Sequence, residues 1–205
     1  MVHLRAAGHT VTATREPGGT RLGELVRGVL LDRSSVGHLP EADALLFNAA
    51  RAQLVREVVA PALERGDIVV CDRFASSTRA YQGYGGGLDL GALGALERYA
   101  TAGLEPDLVV LLDVPVSVGL ARRGLGDPTQ LTRFEDTDRH DAAFHERVRA
   151  GYRTMAAADP NRWRVVDGDR PVEPVTADVV ALVDALLASR TAPSEPNGAL
   201  ARMTA

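Results

Sequence analysis

Lysine is absent from the 205-residue sequence, where all 23 basic residues are arginine. No phosphate-binding loop that ends in lysine can therefore be written anywhere in it. Cysteine is nearly absent too, and the single Cys71 excludes an internal disulfide framework. No stretch is long and apolar enough for a membrane span or a secretory signal, which makes the cytoplasm the default location. The formal net charge of −4 gives no global pull toward nucleic acid or anionic lipid. Any phosphate site must be built locally, from arginine. What is present is 45% hydrophobic residues over a length that suits one α/β domain with a sizeable core.

Val2 to His9 reads as the tail of a helix closed by Gly8, and Val11 to Thr14 as a short strand broken by Pro17-Gly18-Gly19. Leu22, Leu25, Val26, Val29 and Leu30 recur at helical spacing and predict a helix to about Leu31. A longer helix is predicted over Glu41 to Glu64, with Pro61 as a kink or break and Gly66 as its end. The apolar runs Ile68 to Cys71 and Leu108 to Leu112 predict strands buried on both faces, which deliver Asp72 and Asp113 at their exits. Further helices are predicted over Leu88 to Ala102, Ala142 to Ala158 and Val172 to Leu187, and a strand over Trp163 to Val166, while a segment rich in Gly, Asp, Thr and Arg follows Val116 to Arg123 up to Asp138. The residues from Thr191 onward read as a disordered tail. Such alternation predicts a parallel sheet with helices on both faces and a ligand at the carboxyl ends of the strands.

Three segments carry chemistry. In Thr14-Arg15-Glu16-Pro17-Gly18-Gly19-Thr20 an arginine and a carboxylate leave a strand into a proline-glycine turn, a pattern that suits a phosphate and equally a surface ion pair. Val70-Cys71-Asp72-Arg73-Phe74 sets an acid and an arginine at a strand end, and hydroxyl and amide groups follow through Thr78, Tyr81 and Gln82. Phe47 and Arg51, four apart, share a helical face on which a ring can stack on a base and a guanidinium read its carbonyl; a core ring beside a solvent-facing arginine fits the same spacing. Gly83-Tyr84-Gly85-Gly86-Gly87 reads as a flexible turn. His38, His140 and His145 lack metal-ligand spacing and read as surface residues.

In order and spacing these segments resemble the thymidylate kinase family, on the stretches T-R-E-P-G-G-T, D-R-F and A-Y-Q-G, from near Leu4 to about Ser189. The resemblance implies a P-loop nucleoside-monophosphate-kinase fold, phosphorylation of dTMP by ATP with Mg2+, and a homodimer. It implies that Arg15 and Arg73 bind the dTMP phosphate and that Asp72 supports the magnesium-phosphate centre. Phe47 would stack on thymine, Arg51 would bond its carbonyl, and Thr78, Tyr81 and Gln82 would line base and sugar. Residues 122–138 resemble the family's lid, in which Arg133 and then Arg123 would close over the transferred phosphoryl.

The family begins with a strand, a G-x-x-x-x-G-K-[ST] loop and a helix, and no such segment occurs here. The expectation is a kinase domain over residues 1–190 whose first, central strand is absent, between the strands at 68–71 and 108–112. Unpaired backbone and an apolar slot would result, and a chain of these residues alone should fold poorly. The alternative is a catalytically silent nucleotide-binding remnant.

Overall fold

The computed structural model describes residues 1–31, 37–124 and 141–191. Arg133 and His140, most of the expected lid and the expected tail beyond Thr191 lie outside them.

A short helix α1 (Val2–Ala6) leads through Gly8, at φ 88°, into strand β1 (Val11–Arg15). Helix α2 (Arg21–Leu31) is capped by Thr20, whose hydroxyl accepts from the Gly23 amide at 2.9 Å. Then come α3 (Pro40–Leu54), a π-helical turn (Val55–Val59) and α4 (Ala60–Glu64), a continuous path with Gly66 at its end. The π turn stands just ahead of Pro61, where a proline ring crowds the preceding turn and takes one amide out of the ladder. Strand β2 (Ile68–Asp72) and the one-turn α5 (Ala75–Thr78) follow. The rest is α6 (Leu90–Thr101), β3 (Val109–Asp113), α7 (Val116–Gly124), α8 (Ala142–Ala158), β4 (Trp163–Asp167) and α9 (Val172–Thr191). Helices α6 and α8 start on aspartate caps, Asp89 and Asp141, and α9 runs past Leu187 to Thr191.

Two expectations change here. The glycine run is no flexible turn: Arg79–Gly85 is a π-helical continuation of α5. Its glycines are there for close packing, since a Cβ on Gly85 would lie 2.7 Å from both Phe144 and Val148 of α8. The helical spacing of α2 is right but only Val26 and Leu30 are buried; Leu22, Leu25 and Val29 face outward, Leu25 at 66% exposure.

The strands are parallel but stand as two pairs, β1 with β2 in the register Val11↔Ile68 to Arg15↔Asp72, and β3 with β4 in the register Val109↔Trp163 to Asp113↔Asp167. Among the described residues no strand joins β2 to β3. The two apolar runs are consequently not buried on both faces: Val70 is 39% exposed and Leu112 51%. Two packed clusters join the helices around the strands. Val26, Leu30 and Ala50 join α2 to α3, and Ala80, Phe144 and Val148 join the π-helical segment to α8. Burial of a side chain such as Leu30 contributes about 1.5–3 kcal/mol. These clusters fix the helices that carry the site.

Candidate active site

The carboxyl ends of β1, β2 and β3, with α2, α3, α5, α7 and α8 around them, enclose a cleft of about 560 Å³. At its charged end Arg15 leaves β1, Arg27 extends from α2 and Arg73 follows β2. Arg15 donates through Nη2 to both oxygens of Glu24 at 3.1 Å, and Glu24 also accepts from the Gly19 amide at 2.9 Å. Gly19, at φ 75°, is required there, because a Cβ would lie 2.3 Å from Thr14 Oγ1. Arg27 donates to the Pro17 carbonyl at 3.0 Å, beyond the cis Glu16–Pro17 bond. Burial, then the charge of Arg15, pulls Arg27 below the ordinary guanidinium value. Arginine charge here thus exceeds what Glu24 and Asp72 compensate.

Arg73 holds φ at 65°, a left-handed conformation that costs a non-glycine residue about 1–2 kcal/mol. Its guanidinium lies over the Tyr81 ring, 5.3 Å from the centroid. Burial opposes its charge, but Tyr81, Tyr152 and Asp72 outweigh that and raise its pKa further. Asp72 beside it lines the cleft with no ion pair or side-chain hydrogen bond among the described residues. Cys71, one residue earlier, is no nucleophile: burial, then Glu16 and Asp72, pushes its thiol up to about 12.

At the other end Arg51 is 1% exposed and nearly saturated. Its Nε donates to Glu16 Oε2 at 2.8 Å, Nη1 to Asn48 Oδ1 at 2.9 Å, and Nη2 to Thr78 Oγ1 at 3.0 Å and the Phe74 carbonyl at 3.5 Å. Arg51 is therefore no solvent-facing residue. Burial raises the Glu16 carboxyl above the usual range while Arg51 opposes the shift. The buried Glu97 accepts from the half-exposed Arg79 at 2.5 Å, which ties the π-helical segment to α6. Phe47, half-buried, and the buried Thr78 and Gln82 line this end together with Tyr81.

The far wall belongs to β3, α7 and α8. Asp113 accepts from Arg149 Nε at 2.7 Å and Nη2 at 3.0 Å, which holds its carboxyl below the usual range. Arg123, in the last turn of α7, lines the same wall. His145 is not on the surface: it faces the cleft, with Nε2 buried and lacking a hydrogen-bond partner. His38 is buried as well, paired with Asp43 at 3.0 Å.

One cleft thus collects Arg15, Phe47, Arg51, Asp72, Arg73, Thr78, Tyr81, Gln82 and Arg123, while Arg133 is outside the described residues. Sequence reasoning set Asp113 at a strand exit without a site role, and missed Arg27, Arg149 and Tyr152 as lining residues and Glu16 as the partner of Arg51. The available signal for α8 was Arg149 and Tyr152, three apart and so on one helical face.

A sequence profile of the thymidylate kinase family matches residues 1–179. The thymidylate kinase of Thermomicrobium roseum is 55% identical over 86% of this chain and 81% of its own length. That of Deinococcus radiodurans is 50% identical over 88% of this chain and 84% of its own length. The crystal structure of thymidylate kinase from Ehrlichia chaffeensis superposes with a TM-score of 0.66 at 30% identity, covering 85% of this chain and 80% of that one.

Proposed function

The chain belongs to the thymidylate kinase family, and from that membership we propose that it phosphorylates dTMP to dTDP at the expense of ATP, in a form that supplies the ATP-phosphate loop these 205 residues lack. The observation that carries the reading is the two-ended cleft, with uncompensated arginine at one end and a ring beside a hydrogen-bonded arginine at the other. Arg15, Arg27 and Arg73 bind the phosphate of dTMP. Phe47 stacks on thymine, Arg51 reads its carbonyl, and Thr78, Tyr81 and Gln82 line base and sugar. Arg123, and Arg133 from the expected lid, bring positive charge to the transferred phosphoryl, whose equatorial oxygens gather charge in the transition state.

Magnesium takes octahedral oxygen ligands and keeps several waters, so a single carboxylate plus substrate phosphates suffices to hold it. Asp72, unpaired among the described residues and lining the cleft, fits that role. When bound, the ion would neutralise charge on the phosphate oxygens. We place the further parallel strand between β2 and β3, which are not paired with each other, so that a loop at its carboxyl end would open toward Asp72 and Asp113. The catalytically silent alternative gains nothing from the relatives, which carry the kinase name.

Calorimetric titration with dTMP, dUMP, dCMP and AMP tests the reading. The expected result is tightest binding of dTMP, and equal affinity for all four would sink it.

We also propose a homodimer. Leu22, Leu25 and Val29 of α2, with Leu45 of α3, leave an apolar surface outside the core, and a second copy would cover it. Light scattering is expected to give twice the chain mass, and Leu25→Glu to give the monomer; a monomeric parent refutes this.

A further inference from the structure

Tyr81 and Gln82 line the cleft from the π-helical segment Arg79–Gly85, a wide i→i+5 turn of the kind that recurs at functional sites. Arg79 leaves the same segment toward α6, where its Nε donates to Glu97 Oε2 at 2.5 Å. A slip of the segment into the α-helical register would change the rotation between Arg79 and the two cleft residues. Apolar packing alone does not prevent this. Gly83, where a Cβ would lie 2.5 Å from Leu90, sets how close the segment comes to α6, but such contact is non-directional. The hydrogen-bonded ion pair is directional.

The pair is a poor source of stability. Glu97 is 2% exposed, whereas the Arg79 side chain keeps 41% of its surface. Burial raises the Glu97 carboxyl above the usual range, and Arg79, then Arg51 and Arg98, oppose the shift without overcoming it. A carboxyl raised in the folded state contributes stability while protonated and loses that contribution as pH rises through the raised value. Ionised Glu97 is therefore not retained to hold the fold. An apolar pair of similar size is often neutral or stabilising in such a place, and the best attested use of a buried ion pair is to fix register.

We propose that Glu97 is a positioning residue of the site: through Arg79 it sets the rotation of the π-helical segment and so the placement of Tyr81 and Gln82. The role rests on the base-and-sugar contacts given to those two residues. It reaches the phosphate end as well, because the Tyr81 ring carries the Arg73 guanidinium 5.3 Å from its centroid.

Glu97→Leu and Glu97→Gln in the full chain test the role by signs that a residue of the core alone would not give. Leucine removes both the buried charge and the tie, Arg79 turns to water, and Glu16 still pairs with Arg51. The leucine variant should melt at or above the parent temperature. Calorimetry should nevertheless show dTMP and thymidine each bound at least about fivefold more weakly, the worth of one hydrogen bond. Glutamine keeps an oxygen for Arg79 Nε and should bring both affinities back to within about twofold of the parent. Parent affinities in the leucine variant overturn the proposal. A leucine variant that melts below the parent overturns it too, because Glu97 is then a residue of the core alone. A glutamine variant as weak as the leucine one does the same, since the hydrogen bond is then not what holds the segment. A parent that binds neither dTMP nor thymidine would instead refute the functional reading on which the role rests.

Discussion

The 205-residue chain alone is expected to show no ATP-dependent phosphorylation of dTMP, and the same chain fused behind the strand, phosphate loop and helix of a relative is expected to show it. Phosphoryl transfer is catalysed mainly by positioning and by donors aimed at the charge on the phosphate oxygens. Loss of one such donor typically costs about 2.7–4 kcal/mol of transition-state stabilisation, and a chain without lysine or a G-x-x-x-x-G-K-[ST] loop lacks several at once. The arginines of the cleft do not replace these donors, because Arg15, Arg27 and Arg73 are assigned to the dTMP phosphate, Arg51 is sealed in its network and Arg149 is clasped to Asp113. The fusion should raise stability as well as activity. Between β2 and β3 the strand would pair two open edges and cover Val70 and Leu112. A coupled assay of ADP release with dTMP as acceptor reads the first effect and thermal melting the second. Turnover by the unfused chain would defeat the account, and so would a correctly folded fusion that binds ATP but leaves dTMP unchanged.

The periodic elements were legible because local pattern determines them. Helix α8 follows from its apolar spacing over Ala142–Ala158, and β1 to β4 from short β-branched runs between turn residues. The glycine run was misread because composition alone signals flexibility. Only the tertiary fit shows that small residues at Gly83 and Gly85 let the π-helical segment approach α6 and α8. The outward stripe of α2 was invisible for a related reason, since helical spacing identifies an apolar face but not what covers it.

The site was legible where a motif is contiguous and hidden where it is assembled. Arg15, Asp72 and Arg73 announce themselves at strand ends. The Glu16–Arg51 pair joins residues 35 positions apart and the Arg149–Asp113 clasp residues 36 apart, and no local pattern encodes either. His38 shows the same limit, because it is covered where it pairs with Asp43, five residues on in α3.

Arg73→Gly should separate function from fold at the phosphate end of the cleft. At φ 65° an arginine carries a cost of about 1–2 kcal/mol that glycine relieves. Glycine gives back about 0.5–1 kcal/mol in backbone entropy, and loss of the guanidinium from the Tyr81 face removes about 0.5–1 kcal/mol more. These contributions nearly cancel, so thermal stability should stay within about 1 kcal/mol of the parent. Binding has no such cancellation. A charge-assisted contact from guanidinium to phosphate contributes about 1.5–3 kcal/mol, and its loss should weaken dTMP by roughly 10- to 150-fold. Thymidine, which has no phosphate, should bind the variant and the parent alike. Calorimetry with both ligands reads the difference: equal losses for dTMP and thymidine would make Arg73 a structural residue, and unchanged dTMP affinity would remove it from the site.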